Sequence, residues 1–98
     1  MPTTYAEIIN ANSGQCLTIP GDDGGEGAPI QQWQCNGSPE EAWSLQIIWN
    51  NLLGPTAYVV NEYSGYVLDE AGAQWYASNL DDWQNNGGWN QQWTMSPI

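Results

Sequence analysis

Eleven carboxylates and no cationic side chain confine the chemistry open to this chain. Without His there is no imidazole base and no imidazole metal ligand; without Lys there is no amine for Schiff-base formation. Carboxylate chemistry remains, as in sugar hydrolysis, which needs two acids facing each other across a cleft. No such pair stands out, so neither an enzymatic activity nor a cofactor is expected. Asp22, Asp23 and Glu26, within PGDDGGEG (20 to 27), carry the oxygen atoms that calcium takes. Their spacing fits no calcium loop, and they are read as a solvated acidic loop, with no metal site. A net charge of −11 favours solubility and leaves nothing to neutralise phosphates. Nucleic acid and anionic lipid are therefore excluded as partners.

The other chemistry available is recognition by aromatic faces and amides. Sugars are held by a division of labour, in which a ring face packs on the apolar C–H side while carboxylates and amides take the hydroxyls. The segment EAGAQWYASNLDDWQNNGGW (70 to 89) carries Trp75, Tyr76, Trp83 and Trp89, more aromatic surface than a core needs. It runs into Asn90-Gln91-Gln92-Trp93, whose Gln-x-Trp phrase has an earlier counterpart in Glu41-Ala42-Trp43.

That echo belongs to a larger repeat. Ile9-Asn10-Ala11-Asn12-Ser13-Gly14-Gln15-Cys16-Leu17 returns as Val60-Asn61-Glu62-Tyr63-Ser64-Gly65-Tyr66-Val67-Leu68, 51 positions on (Gly14 to Gly65). Ile30-Gln31-Gln32-Trp33-Gln34 returns as Leu80-Asp81-Asp82-Trp83-Gln84, 50 positions on (Trp33 to Trp83), and Trp43 and Trp93 keep that spacing. Three landmarks in the same order make a real internal repeat. Each unit reads as four short strands without a helix. In the first they lie near Tyr5–Asn10, Cys16–Ile19, Pro29–Gln34 and Trp43–Ile48. In the second they lie near Tyr58–Asn61, Tyr66–Asp69, Asn79–Trp83 and Trp93–Met95. Asn-x-x-Ser-Gly is a turn phrase whose glycine supplies positive φ. Short strands with Gly-rich turns predict an all-β barrel or sandwich in a single domain, 1–98, with repeat one about 5–48 and repeat two about 57–96.

The ordered set Asn-x-x-Ser-Gly-x-Cys-Leu, Ile-Gln-Gln-Trp-x-Cys and x-x-Trp resembles the ricin-type lectin repeat. The second copy, YVVNEYSGYVLDEAG with NQQWTM, resembles repeats of β-trefoil carbohydrate-binding modules. The resemblance covers nearly all of the chain outside Trp49–Pro55 and the two tips. It implies a β-trefoil-like fold, incomplete because such a trefoil uses three units and two are seen here. It also implies a disulfide between Cys16 and Cys35, against the alternative of two reduced buried thiols. A bridge would favour a secreted or extracellular setting, although no signal peptide is visible.

The family places an Asp after the second strand, an aromatic at the end of the third and an Asn just before Gln-x-Trp. In the second unit these fall on Asp69, Trp83 and Asn90, with Gln91 orienting behind; Trp75, Tyr76 and Trp89 extend the aromatic surface. In the first unit Thr18 replaces the Asp, Glu40 and Glu41 replace the amides, and Trp33 alone keeps the platform. The resemblance therefore implies a glycan-binding module for neutral, galactose-type sugars working through its second repeat. Trp43 and Trp93 are expected in the core, and Glu40 and Glu41 at a position that has become surface. The alternative is a β-trefoil protease inhibitor or other protein-binding module. Two repeats in place of three also predict a homo-oligomer, with Trp49, Leu52 and Leu53 as interface candidates and no membrane insertion.

Overall fold

The computed structural model describes residues 3–20, 25–51, 54–71 and 79–96. The strands are β1 (Cys16–Thr18), β2 (Gln31–Trp33), β3 (Trp43–Asn51), β4 (Gly54–Asn61), β5 (Val67–Glu70), β6 (Leu80–Trp83) and β7 (Trp93–Thr94). Every pairing is antiparallel, and the helical turns among the described residues are two three-residue 3-10 turns, Pro39–Glu41 and Trp89–Gln91. None is long and apolar enough to cross a membrane.

The repeat seen in the sequence is a repeat of hydrogen bonds. Asn10 Oδ1 accepts from the backbone N–H groups of Asn12 and Ser13 at 2.8 and 3.0 Å; Asn61 Oδ1 accepts from those of Tyr63 and Ser64 at 2.9 and 3.1 Å. Each turn ends on a glycine in the left-handed region, Gly14 at φ 72° and Gly65 at φ 74°. The Asn side chain thus mimics a backbone turn, and the glycine closes it without a Cβ clash. The hairpins that follow share a register: Cys16 faces Trp33 in β1–β2, and Val67 faces Trp83 in β5–β6.

β3 and β4 form the long central hairpin, flanked by β7 on β4 and by Ala6, which exchanges hydrogen bonds of 2.8 and 2.9 Å with Trp43. The expected first strand, Tyr5–Asn10, is reduced to isolated bridges at Ala6 and Ile9. Trp49–Pro55, which lies outside the repeat pattern, is the end of this hairpin. β3 continues to Asn51 and β4 begins at Gly54, because each strand supplies the other's ladder partners beyond the conserved-looking landmarks. Leu52 and Leu53 lie outside the described residues.

The core gathers Ile19, Ala28, Trp43, Val59 and Leu68, with Leu17, Ile30, Leu80 and Trp93 packed against it. Trp43 is 2% exposed and donates its indole N–H to Leu17 O at 3.0 Å; Trp93 does the same to Leu68 O at 3.1 Å. Both bury a large apolar face only because the indole N–H finds a carbonyl. The two tryptophans sit at equivalent places, each locking the closing strand of its repeat onto the strand that opens the hairpin.

Cys16 and Cys35 are joined by a disulfide across the first hairpin, while the second repeat has Val67 and Asn85 in their places. Closing a loop of 19 residues contributes about 3 kcal/mol in the chain-entropy account. Reduction should therefore lower the thermal midpoint by about 10–20 °C at this chain length, as followed by near-ultraviolet circular dichroism with and without reductant.

Candidate site in the second repeat

The second hairpin and the turn after it bring four sequence-predicted residues into proximity. Asp69 is the third residue of β5, Trp83 ends β6, and Asn90 and Gln91 lie in the 3-10 turn that precedes β7. The 3-10 turn is closed by the Gln91 N–H donating to Gly88 O at 3.1 Å, which fixes the backbone that carries both amides. Asp69 is only 5% exposed, and its Oδ2 accepts from Asn90 Nδ2 at 3.1 Å and from Gln91 Nε2 at 2.9 Å. Gln91 is itself held at both ends of its amide. Its Nε2 donates to Gln84 O at 3.0 Å, and its Oε1 accepts from the Asn86 N–H at 3.0 Å. Asn90 Nδ2 also donates to Glu70 O at 3.1 Å. The carboxylate is fixed by two amides that are fixed in turn by backbone, which is the preorganisation a weak hydroxyl ligand needs.

Asp81 was not singled out by the sequence, yet it faces Asp69 across β5–β6 and is hydrogen-bonded to it. Burial pushes its carboxyl up to about 7 from the usual 3.8, helped by the hydrogen bond to Asp69 and by the negative charges of Asp69 and Asp82. Two carboxylates in contact share one proton rather than both ionise. The signal was present in the sequence as Asp81 standing where the first repeat has Gln31, but only the cross-strand register shows its partner.

A raised acid pKa carries a sign. Below the unfolded value of 3.8 both states hold the proton and Asp81 has no effect on stability. As pH rises toward about 7 the unfolded chain releases a proton that the folded chain retains, so stability is progressively lost. Asp81→Asn keeps a donor for Asp69 and removes this penalty. It should raise stability by about 1 kcal/mol above about pH 7, after discounting for the exposure of the group, and by nothing in strong acid. Thermal melts of both proteins across that range check it.

Trp83 is backed by the first repeat. Gly27, at φ 84°, lies so close to the indole that an added Cβ would stand 3.2 Å from its six-membered ring. The same segment runs along β6: Ala28 N–H donates to Asp82 Oδ1 at 2.8 Å, and Glu26 Oε2 accepts from Gln84 N–H at 3.1 Å. Glu26 therefore has a structural partner; Asp22 and Asp23 lie outside the described residues, as do Trp75 and Tyr76. Trp89 is 90% exposed and lines a shallow groove with Ile48, Trp49, Gln92, Thr56 and Thr94.

The first repeat corrects one expectation. Glu41, read as surface, is 1% exposed, and its Oε1 accepts from the Asn36 N–H at 2.8 Å. This is the bond that Gln91 Oε1 makes with Asn86, and a carboxylate oxygen serves it as well as an amide oxygen does. The acid persists because the shared role needs an acceptor. Thr18, in the Asp position, turns its hydroxyl to the carbonyls of Ile19 and Glu40. Trp33 remains an open platform, 65% exposed.

Known proteins share this fold. The designed 3-fold symmetric protein ThreeFoil superposes with a TM-score of 0.83 at 25% identity, over 96% of this chain and 65% of its own. An exo-beta-1,3-galactanase from Clostridium thermocellum superposes with a TM-score of 0.86 at 31% identity, over 100% of this chain and 20% of its own. The chain thus spans less than two thirds of either protein. None of the curated proteins matches it. The model of the ricin-type beta-trefoil lectin domain-like family matches residues 1–74, three quarters of the chain, and with the twofold repeat and the all-β hairpins this makes the protein a β-trefoil-type member of that family.

Proposed function

We propose that the protein binds neutral glycans of the galactose type through its second repeat, without catalysis. The observation that carries this reading is the carboxylate of Asp69, held by Asn90 and Gln91 beside the half-open indole of Trp83. The carboxylate accepts pairs of hydroxyls and the ring takes the apolar sugar face. The galactanase neighbour acts on a galactose polymer, which supports the sugar class. Hydrolysis is disfavoured because Asp69 and Asp81 touch each other, whereas a retaining pair stands about 5 Å apart across the bond it cleaves. Titration with galactose, lactose and galactan oligosaccharides, read by calorimetry, tests the proposal. Binding of at least one at millimolar concentration is expected, and silence from all of them would remove the sugar reading.

We also infer self-association. Leu45 faces Val59 and Ile47 faces Ala57 across β3–β4, so all four lie on the inner side of the sheet with Trp43. Val59 and Ala57 are buried, yet Leu45 is 50% and Ile47 46% exposed. A core-facing apolar strip open to water is an association surface, and a second copy presents the same strip. The charge of −11 opposes contact elsewhere and confines it to this uncharged face. Light scattering at micromolar concentration should show an oligomer, and Leu45→Asp should reduce it to monomer. A heat-stable, cooperative monomer of the unaltered chain would refute it.

A further inference from the structure

We propose that the first repeat holds a second site, selective for a cationic, ammonium-bearing sugar, built on Trp33, Glu40 and Glu41. This site does not depend on the reading of the second repeat. A cleft of about 440 Å³ opens there, lined among others by Thr18, Gln31, Trp33, Ser38, Glu40 and Glu41. That volume lies within the range of small-molecule sites. Strand alternation explains its floor. Gln31 and Trp33 face the cleft from β2, while Gln32 between them turns away to accept the Ser13 hydroxyl at 2.7 Å. The indole of Trp33 is left open to a ligand.

Where the second repeat has the amides Asn90 and Gln91, this cleft has the acids Glu40 and Glu41. Gln91 places a donor, Nε2, toward Asp69 and the Gln84 carbonyl. Glu41, equally buried, has only acceptors. One oxygen takes the Asn36 N–H, and the other accepts no hydrogen bond among the described residues. The Glu40 carboxylate likewise has no hydrogen bond among them; that residue serves the fold through its carbonyl, which accepts from Ile19 N–H and Asn61 Nδ2. No Lys, Arg or His exists anywhere in the chain to neutralise either acid. A neutral sugar would leave both charges uncompensated in the cleft. Two acids beside an open indole fit instead an ammonium group on a sugar ring. The ammonium donates charge-assisted bonds to the carboxylates and draws on the π-face, and the ring C–H groups pack on the rest of the indole.

The test uses the whole chain titrated with glucosamine oligomers in slightly acidic buffer, where their amines are charged. N-acetylated oligomers of the same length and an ammonium salt without a sugar ring serve as controls. Tryptophan fluorescence and calorimetry give the affinity. The free-amine oligomer should bind at least about tenfold tighter than its acetylated form, by the charge-assisted bonds the acetyl group removes. Trp33→Ala should abolish binding and Glu40→Gln should weaken it about fivefold or more, while Asp69→Ala leaves it unchanged. Both substituted positions are partly or largely exposed, and circular dichroism confirms the fold of each variant. Equal affinity for the two oligomers, binding of the free-amine form no stronger than that of the ammonium salt, or full affinity in Trp33→Ala would each overturn the proposal. Loss of neutral-sugar binding at the second repeat would not touch it.

Discussion

Asp69→Ala should abolish glycan binding, with an affinity loss of at least about 100-fold. Each hydroxyl bond to an ionised carboxylate contributes about 1.5–3 kcal/mol, and two of them account for about two to four decades of affinity. Trp83→Ala should match it by removing the stacking face. Thr18→Ala should leave this site unaffected, since its hydroxyl serves only the carbonyls of Ile19 and Glu40. The substitution at Asp69 is not silent for the fold. It strips the acceptor from Asn90 Nδ2 and Gln91 Nε2, and Gln91 is fully buried, so about 1–3 kcal/mol of stability goes with it. Calorimetric titration below the melting midpoint separates the two effects. Added salt should change wild-type affinity for neutral sugars little, because no ligand charge is screened. Normal binding by Asp69→Ala would show that the sugar sits elsewhere.

Gly54→Ala should be the most damaging alanine substitution among the described glycines, costing about 4 kcal/mol. Gly54 adopts φ 130°, a conformation that L side chains rarely take, and an added Cβ would collide with the backbone carbonyl of Met95. Neither partner can step aside cheaply. The Met95 N–H donates to Pro55 O at 3.0 Å, and β7 is bound to β4 through Thr56↔Thr94 and Ala57↔Trp93. Relieving the clash therefore pulls the closing strand of the second repeat from the central hairpin. Denaturant unfolding should show a much lower midpoint, whereas Gly14→Ala, whose Cβ would meet nothing within 4 Å, should show only the milder cost of its positive φ. Equal effects at the two positions would mean that the Met95 contact carries no weight.

The sequence by itself determined the all-β class, the twofold repeat, the turn chemistry and the indoles that close each repeat. These are local or periodic signals. Asn-x-x-Ser-Gly dictates its own turn through Asn10 and Asn61, and a tryptophan kept at a fixed offset implies an equivalent burial in each copy. Asp69, Trp83, Asn90 and Gln91 were singled out through the family resemblance, because only Trp83 has its own residue type, Trp33, at the matching place in the first repeat. Tertiary structure decided the rest. Asp81 acquires its shared proton only because the β5–β6 register sets it opposite Asp69, and no residue type announces its cross-strand partner. Glu41 is buried because a 3-10 turn swings it onto the Asn36 N–H, so an acid that reads as surface is an internal acceptor. The apparent connector Trp49–Pro55 became hairpin because strand length follows from available ladder partners, which sequence periodicity does not count. Trp89, next to Asn90 in sequence, lines a groove with Trp49 and Thr56, which the pairing of β7 with β4 brings near it.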